Sequence, residues 1–265
     1  MKKIREILEK VYESPELRKT VVPLFLGNPG LGKTRIIEQF AKDKGVNLVE
    51  FISSQRNPFE ISGLAMPDKD IKQMSYWDFD TLLNMNDGDI LFFDEVLNGN
   101  PAVLNACLTI LENRKMISGK LLPNIMIIAA ANPQGQSPLT PQIKERFMWY
   151  DVKFDATMWR NYMIEKYGVT SSIATKLVSL IQAESFSSGN NFYTPRSVDK
   201  VVSMIIADAP VPSSYANTIE PILSELVNNS FTEPVQLSKD RVLEPHESIP
   251  WLELIKIKRN KTVWV

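Results

Sequence analysis

The sequence contains little cysteine and little histidine, with one residue of each kind, Cys107 and His246. A single cysteine excludes an intrachain disulfide framework, and nothing in the sequence indicates an oxidising compartment. Cys107 lies in an apolar run, which is typical of a thiol packed in a protein core. His246 lies in a polar stretch without neighbouring cysteine or histidine residues, so we expect a solvated loop there and no zinc-type site.

Long apolar runs and an excess of charge are missing as well. No segment approaches the roughly 20 apolar residues that a membrane span requires, and the charged N-terminus lacks the apolar core of a signal peptide. We therefore expect a cytoplasmic protein with no membrane partner. Thirty basic and 31 acidic residues give a formal net charge of −1. The chain as a whole should not attract nucleic acid, although a local basic patch would still do so.

The sequence does contain enough apolar residues, 44% of 265, for one large or two modest packed domains. Strand and helix patterns alternate in the first part of the chain, and beyond about residue 155 only helical patterns follow. Such a switch marks a domain boundary. We therefore predict an α/β domain at residues 1–154, a helical domain at 155–230 and a C-terminal extension at 231–265.

Apolar periodicity predicts the individual elements, and continuous apolar runs are typical of parallel strands that are covered on both faces. The predicted strands are Val21–Leu26, Asn47–Ile52, Ile90–Phe93, Ile125–Ala131 and Val152–Phe154. The predicted helices are residues 2–14, 33–44, around 79–86, 101–112, 156–167, 171–184, 195–208 and 216–229. A hairpin is predicted through Ile71–Trp77, within an irregular stretch that contains glycine and proline.

A glycine-rich segment follows the first predicted strand and consists of Gly27, Asn28, Pro29, Gly30, Leu31, Gly32, Lys33 and Thr34. It matches the phosphate-loop pattern of glycine, four residues and Gly-Lys-Ser/Thr, between a strand and a helix as that motif requires. Glycines allow positive φ angles that turn backbone N–H groups toward one anion, and the N-terminus of the next helix adds its own. Lys33 is predicted to contact the β- and γ-phosphates, and the Thr34 hydroxyl to bind Mg²⁺.

An acidic pair, Asp94-Glu95, follows the predicted strand Ile90–Phe93. The carboxyl ends of parallel strands line the ligand crevice of such folds. Asp94 is predicted to hold Mg²⁺, directly or through water, and Glu95 to orient and deprotonate an attacking water. A solvated acidic turn is the alternative, but four apolar residues and an upstream phosphate loop favour a site. The expected cofactors are ATP and Mg²⁺, and the expected reaction is magnesium-dependent hydrolysis of ATP to ADP and phosphate.

Five segments occur in a characteristic order: the phosphate loop, the FFDE strand end, the strand Ile125–Ala131 with Asn132, the Glu145-Arg146-Phe147 triplet and Tyr193-Thr194-Pro195-Arg196. In this order and spacing, over roughly residues 20–205, the chain resembles the AAA+ ATPases and is most similar to their MoxR-type branch. The resemblance implies a P-loop NTPase fold, a three-layer αβα sandwich with a parallel sheet, followed by a small all-α lid domain.

The resemblance also implies roles for three further residues. Asn132 matches sensor 1, a polar group that helps to hold the attacking water near the γ-phosphate. Arg146 matches the arginine finger, which reaches the γ-phosphate of a neighbouring subunit and can contribute a rate factor of about 10³–10⁵. Arg196 matches sensor 2, an arginine at the start of a lid helix that contacts the nucleotide. An Asn-Pro turn, a surface arginine and an ordinary Pro-Arg helix start are the respective alternatives.

Two segments, Arg56–Trp77 and Glu112–Asn124, look like the inserted loops of MoxR relatives. Such loops face the central pore in rings of the wider group, so Met74, Lys115 and Met116 are candidates for contact with a substrate. After the acidic pair, MoxR relatives carry a short hydrophobic-Asn-Arg segment, whereas this chain has Val-Leu-Asn-Gly-Asn.

The resemblance implies a remodelling or chaperone-type ATPase that acts as a ring-shaped homo-oligomer, with a hexamer as the family expectation. Its expected target is a protein substrate, with a von Willebrand factor A-type partner. A nucleic-acid motor or loader is the first alternative, and basic residues near the C-terminus support it. A nucleotide-gated scaffold conflicts with the intact Glu95. A P-loop kinase would need a substrate-phosphate site in place of the sensors and the finger.

Overall fold

The computed structural model describes residues 2–70, 73–78, 80–116, 118–134, 140–185, 193–207 and 209–229 of the chain. The chain forms two compact units, Met1–Phe154 and Asp155–Val265. The first unit alternates strands and helices, and the second is helical wherever its residues are described.

The helices of the first unit are α1 (Lys2–Glu13), α2 (Pro15–Thr20), α3 (Lys33–Lys44), α4 (Phe59–Ser62), α5 (Asp80–Leu83), α6 (Pro101–Asn113) and α7 (Pro141–Glu145). Its strands are β1 (Pro23–Leu26), β2 (Leu48–Ile52), β3 (Leu64–Asp68), β4 (Gln73–Trp77), β5 (Ile90–Asp94), β6 (Met126–Ala131) and β7 (Met148–Asp151). Short 3₁₀ helices, Ser53–Gln55 and Val96–Asn98, follow β2 and β5.

Five strands form one parallel sheet in the order β2-β5-β6-β1-β7. Strand β2, which follows β1 in the chain, lies at one edge of the sheet. Strand β7 pairs with the other side of β1 and forms the opposite edge. The strand order therefore reverses beside β1, and ligands bind outside the carboxyl ends of parallel strands at such switch points. Strands β3 and β4 form a separate antiparallel hairpin.

The core lies on both faces of the parallel sheet, because successive strand side chains point to opposite faces. Leu91 and Phe93 pack in one apolar cluster, and Ile90 and Phe92 pack in the other. Helix α6 covers the first face, and helices α1 and α3 cover the second. The buried helix residues include Val103, Leu104, Cys107 and Ile110 on one side, and Ile4, Leu8, Ile37 and Phe40 on the other. The predicted three-layer αβα sandwich is confirmed.

Cys107 lies within the first of these clusters and is 2% exposed. Burial raises the pKa of its thiol to about 12. Because the thiolate is the reactive form of cysteine, this residue packs as a small apolar side chain, as its apolar surroundings in the sequence predict.

The last predicted strand, Val152–Phe154, is wrong in position, because the strand that pairs with β1 is Met148–Asp151. Strand β7 lies at the edge of the sheet and leaves Met148 and Trp149 exposed. An edge strand has only one paired neighbour, and no side chain of β7 is fully buried, so it lacks the continuous apolar run that marks the central strands. Val152 is buried just beyond the strand end.

Three smaller differences concern the connections between the main elements. The predicted hairpin is longer than Ile71–Trp77, since β3 and β4 pair from Leu64 to Trp77. The predicted helix around residues 79–86 is the short α5, Asp80–Leu83. Helix α2 was not predicted. It begins with Ser14 as its N-cap and a proline in its first turn, which is ordinary helix-start chemistry.

The second unit contains α8 (Ala156–Tyr167), α9 (Ser171–Ser185), α10 (Pro195–Ile206) and α11 (Ser213–Asn229). Gly168, with φ of 64°, ends α8 in the left-handed conformation that glycine adopts without a Cβ penalty. The buried side chains of the unit include Met163, Ile173, Leu177, Val198, Val202 and Ile219. The predicted extension at 231–265, with His246, lies outside the described residues. Across the described ranges, every helix is too short or too polar to span a lipid bilayer.

Candidate nucleotide-binding site

The loop between β1 and α3 is shaped for an anion. Gly30 and Gly32 have φ angles of 80° and 86°, so both lie in the left-handed region that glycine favours. Gly32 is also the N-cap of α3 and supplies no side-chain hydrogen bond to that helix. The N-terminal N–H groups of α3 therefore have no side-chain cap and can serve a phosphate. Gly27 is required for packing, because a Cβ there would lie 2.7 Å from the carbonyl oxygen of Val152.

Lys33 is 8% exposed, and its ammonium group lies inside this loop. Nζ donates to the carbonyl oxygens of Gly27 at 2.5 Å and Asn28 at 3.2 Å, and to Asn132 Oδ1 at 3.0 Å. Three acceptors match the three donors of an ammonium group, which a buried charge requires. The structure thus brings the predicted Lys33 and Asn132 together, although 99 residues separate them in the sequence.

Thr34 and Asp94, the two predicted Mg²⁺ ligands, are in direct contact. Thr34 Oγ1 donates to Asp94 Oδ2 at 2.9 Å, and the backbone N–H of Glu95 donates to Asp94 Oδ1 at 2.8 Å. A hydroxyl and a carboxylate are the oxygen ligands that Mg²⁺ prefers, with phosphates and water completing its octahedron. The donor set fits Mg²⁺ held together with a nucleotide. In the described part of the chain, no group of three or more His, Cys, Asp and Glu side chains could hold a metal by itself.

A second carboxylate, Glu50 on β2, makes the surroundings of Asp94 more acidic. Partial burial raises the pKa of Glu50, and the nearby charges of Asp94 and Glu38 raise it further. A divalent cation held by Asp94 and Thr34 would offset this repulsion, because the ion would be the largest local charge. The electrostatics of this edge of the sheet therefore favour a metal-bound nucleotide.

Glu95 has a strained backbone, with φ of 54° and ψ of 37° in a residue that is not glycine. Such strain persists only where the surrounding structure holds it, and it is common at functional sites. Glu95 Oε2 accepts a hydrogen bond from Ser54 Oγ at 2.5 Å. The predicted general base is therefore hydrogen-bonded to a hydroxyl just after the C-terminal end of the neighbouring strand β2.

Ser54 is a site residue that the sequence did not reveal. It lies in the 3₁₀ helix after β2. This helix packs closely against the turn after β5, because a Cβ on Gly99 would lie 2.9 Å from the Ser53 Cβ. The only signal available in the sequence is a hydroxyl just past a strand end, and it becomes meaningful once β2 is known to pair with β5.

The structure does not bring Arg146 into contact with the Lys33 and Asp94 groups. It lies at the C-cap of α7, and its guanidinium pairs with Glu112 on α6, with Nε 2.7 Å from Glu112 Oε1 and Nη2 on the same oxygen. Both side chains are more than 30% exposed. Glu112 is a second contact that the sequence did not reveal. A finger that acts on another subunit remains a prediction.

Arg196 lies in the first turn of α10, in the second unit, and is exposed. A capping box begins this helix, in which the Thr194 hydroxyl accepts from Ser197 N at 3.1 Å and Ser197 Oγ accepts from Thr194 N at 2.8 Å. Pro195 occupies the first position, as the sequence predicts for a helix start. Contact between Arg196 and a nucleotide stays a prediction.

Of the three candidates for substrate contact, Met116 is wrong, because it is 1% exposed and packs in the core. Met74 is 59% exposed and Lys115 is exposed. The hairpin β3–β4 and its approach carry several large exposed apolar side chains, Phe59, Leu64, Met66, Met74 and Trp77. Ser118 Oγ donates to Asp78 Oδ2 at 2.5 Å, just after the end of β4. This bond connects the ribbon to the segment that carries the exposed Leu121. We call these six apolar side chains the hairpin patch.

A glycine loop at the exit of the switch-point strand, a buried lysine inside it and a Thr-Asp pair beside it define a P-loop NTPase. The comparison with protein families agrees: residues 23–147 match the AAA domain of the dynein-related subfamily. Residues 23–147 are therefore similar to an AAA domain, and the fold around them is that of the P-loop AAA+ ATPases. The finer MoxR-type assignment remains a prediction.

Several curated proteins are similar over this domain. Two uncharacterized proteins of Methanocaldococcus jannaschii are 27% identical over 135 residues, which is 48% of this chain and 34% and 33% of theirs. The Holliday junction branch migration complex subunit RuvB of Helicobacter hepaticus is 32% identical over 103 residues, 38% of this chain and 26% of that protein. The aligned region thus spans about a third or less of these relatives.

Solved structures of Thermotoga maritima RuvB share the fold at 15% sequence identity. The Holliday junction branch migration motor superposes with a TM-score of 0.53, covering 83% of this chain and 68% of that one. A variant of the same protein reaches a TM-score of 0.56, covering 85% and 69%. This likeness supports the P-loop AAA+ architecture and its helical C-terminal part.

Proposed function

We propose that this protein is a magnesium-dependent AAA+ ATPase that assembles into a ring and remodels a protein partner. The observation that carries the proposal is the convergence of Lys33, Asn132, Thr34 and Asp94 at one edge of the parallel sheet, beside a glycine loop with two left-handed residues. Mg²⁺-ATP, when bound, supplies the phosphoanhydride bond whose hydrolysis releases the energy for this work.

The residues of the loop provide binding and charge. Lys33 exchanges its carbonyl acceptors for phosphate oxygens, which are stronger acceptors because they are ionised. Thr34 and Asp94 would hold Mg²⁺ through a hydroxyl and a carboxylate oxygen, which are ligands that this ion prefers. Asn132 keeps its place beside the lysine and is suited to orient a water near the terminal phosphate.

Glu95 supplies the base. Its hydrogen bond from Ser54 occupies one of its two oxygens. The carboxylate becomes fully available to a water only when this bond opens. A movement of the turn after β2 that opens this bond would therefore make the second oxygen of the base available as well.

We propose the ring arrangement because Arg146 matches the arginine finger in the resemblance to AAA+ ATPases. Its pair with Glu112 is exposed on both sides, and such pairs contribute only about 0–1 kcal/mol. Arg146 can leave Glu112 at little cost for the more highly charged phosphate of an adjoining subunit. The hexamer, and the von Willebrand factor A-type partner, come from the resemblance to MoxR-type ATPases.

A protein target is supported by the hairpin patch. On the ribbon β3–β4 itself, Leu64, Met66 and Trp77 share one face, and exposed apolar surface of this kind is typical of protein contact. Nucleic-acid channels instead combine basic grooves with aromatic side chains for stacking. Within the described ribbon, four large apolar side chains are exposed, Leu64, Met66, Met74 and Trp77, and Lys69 is the exposed basic side chain.

A nucleic-acid motor is the second candidate, and the likeness to RuvB favours it. The two functions differ in their dependence on salt. Each phosphate contact of a DNA-binding protein releases counterions, so affinity falls steeply as salt increases. Burial of the hairpin patch against a protein is much less sensitive to salt.

The experiment uses Glu95→Gln, which should bind ATP without hydrolysing it and so hold the ring on its target. Proteins and nucleic acids retained by this variant with ATP are compared with those retained by Lys33→Ala, which should not bind ATP. A protein held only by the first variant, and lost on Trp77→Ser, supports the proposal. Retention of DNA or RNA with a steep salt dependence supports the motor instead.

A further inference from the structure

Two short 3₁₀ helices follow neighbouring strands of the parallel sheet and lie side by side. Ser53–Gln55 follows β2, and Val96–Asn98 follows β5. The two strands are paired up to their ends, where Ile52 lies opposite Asp94. The chain therefore leaves the sheet at neighbouring points, and both turns lie beside the acidic pair that ends with Glu95.

Gly99, just after the second of these turns, is a point of close approach between them. It is buried, and a Cβ on it would lie 2.9 Å from Ser53 Cβ and 3.2 Å from the Ser53 carbonyl oxygen. Carbon atoms in contact are normally about 3.5–4.0 Å apart, so any larger residue must move the turns apart by roughly 0.5–1 Å. The φ angle of Gly99 is −72°, which every residue can adopt. The glycine is therefore required for space and not for its backbone conformation.

Ser54, the residue after this contact, carries the hydroxyl that meets the predicted base. Its Oγ donates to Glu95 Oε2 at 2.5 Å. Hydrogen bonds between oxygen atoms are about 2.5–3.0 Å long, so a displacement of roughly 0.5–1 Å takes this bond to the limit of that range or beyond it. The close approach that Gly99 permits is therefore also a condition for the bond between Ser54 and Glu95.

The turn after β5 is the more firmly held of the two. Val96 is 1% exposed and packs in the core, and the Asn98 N–H donates to the Glu95 carbonyl oxygen at 2.8 Å. In the turn after β2, by contrast, Ser54 and Gln55 are exposed. A Cβ added at the contact should therefore displace the turn that carries the hydroxyl, while the turn that carries the carboxylate stays in place.

The side chain of Ser53 contributes shape to this contact without a hydrogen bond. It is 1% exposed, and its Oγ has no hydrogen-bond partner in the part of the chain that the structure describes. Most buried polar side chains in proteins do have such a partner. The Ser53 side chain can thus be removed to make room without breaking a bond of its own.

We infer that Gly99 is a positioning residue for the catalytic base, because it lets the turn after β2 come close enough for Ser54 to bond with Glu95. The inference rests on the proposed function, in which Glu95 is the base of ATP hydrolysis. Gly99 acts through the space it leaves, so its effect on hydrolysis should pass through Ser54.

The test compares Gly99→Ala, Ser54→Ala and the double variant, in the full chain, by phosphate release over a range of ATP concentrations. Gly99→Ala should change kcat in the same direction as Ser54→Ala, a several-fold increase, and leave the KM for ATP near the wild-type value. The double variant should match Ser54→Ala to within about two-fold, because both substitutions remove the same hydrogen bond and their effects do not add.

A compensating substitution separates this role from simple crowding. Adding Ser53→Gly to Gly99→Ala removes the Cβ that the new methyl group meets, so kcat should return most of the way to that of Ser53→Gly alone. Gly45→Ala is the matched control, since Gly45 ends α3 with φ of 67° and a Cβ there meets nothing within 4 Å. It should lower Tm and leave kcat unchanged. If Gly99→Ala does not fold, Ser53→Thr enlarges the same contact from its other side and replaces it.

The outcomes separate the two claims. If Glu95→Gln is inactive while Gly99→Ala keeps the wild-type kcat, or while its effect adds in full to that of Ser54→Ala, the inference is overturned and the ATPase function stands. A changed kcat in Gly99→Ala that Ser53→Gly does not restore has the same meaning. Wild-type turnover in Glu95→Gln overturns the assignment of the base, and the inference with it.

Discussion

The hydroxyl of Thr34 donates a hydrogen bond to Asp94 Oδ2 across 2.9 Å, although 60 residues separate the two in the chain. Thr34 lies in the first turn of α3 and Asp94 is the last residue of β5. The contact places the phosphate loop beside the acidic end of β5, as the two sequence motifs predict for a shared site. A hydroxyl and a carboxylate this close can share one divalent cation with only small movements.

Lys33→Ala should abolish measurable ATP binding. The ammonium makes three hydrogen bonds inside the loop, and hydrogen bonds to charged groups are worth roughly 1.5–3 kcal/mol each. In the nucleotide complex the ammonium donates to phosphate oxygens instead, so its removal should weaken ATP binding roughly 100-fold or more. Titration with a fluorescent ATP analogue measures this. Lys42→Ala, an exposed lysine on the same helix, is the control and should bind normally.

Ser54→Ala should raise the basal rate of ATP hydrolysis several-fold, because Glu95 loses the hydroxyl that occupies its carboxylate. Phosphate release under saturating ATP measures the rate. Ser118→Ala is the matched control, since it removes a hydrogen bond of the same 2.5 Å length to a different carboxylate, Asp78. A rate as low as that of Glu95→Gln would show instead that Ser54 orients the base for reaction.

Glu50→Gln should stabilise the protein at neutral pH. Because the folded-state pKa of Glu50 is raised above its ordinary value, the contribution of this carboxyl to stability is present below the ordinary pKa. It is lost as the pH rises through the folded-state pKa. The variant should therefore have a higher Tm than wild type at about pH 7 and no advantage at about pH 4.

The gain from Glu50→Gln should shrink when Mg²⁺-ATP is present, because the cation offsets the repulsion between Glu50 and Asp94. Thermal unfolding with and without Mg²⁺-ATP measures the difference. Glu6→Gln on α1, outside this acidic group, is the control. An equal gain at both pH values would contradict the electrostatic origin of the effect.

Mixing Arg146→Ala with Glu95→Gln subunits should restore part of the ATPase activity that each lacks alone. In a mixed ring, an intact Arg146 from one subunit can face an intact Glu95 in the next. The rate is measured against the mixing ratio, and the rescue should peak at intermediate ratios. If no ratio gives more activity than the separate variants, Arg146 does not act on a neighbouring subunit.

The central strands could be predicted because they are buried on both faces. β5 and β6 read as unbroken apolar runs, and both lie where the sequence predicts them. β7 could not be placed in this way, because Met148 and Trp149 on the sheet edge remain exposed. The hairpin β3–β4 was only partly found, since its apolar side chains are exposed and so give no clear signal of a core.

The same division applies to the site. Lys33, Thr34, Asp94 and Glu95 belong to motifs whose spacing reflects chemistry, so they could be named from the chain alone. Ser54 and Glu112 act through contacts between distant segments. Their hydroxyl and carboxylate groups are common on protein surfaces, and only the fold shows which partner each one meets.

The most direct measurement is the release of inorganic phosphate from ATP by the purified full chain, with and without Mg²⁺, beside nucleotide binding by the same samples. The account predicts that wild type binds ATP and releases phosphate only with Mg²⁺, and that Asp94→Ala releases almost none. Phosphate release that persists unchanged in Asp94→Ala, or wild-type protein that binds no ATP at any concentration, would contradict it.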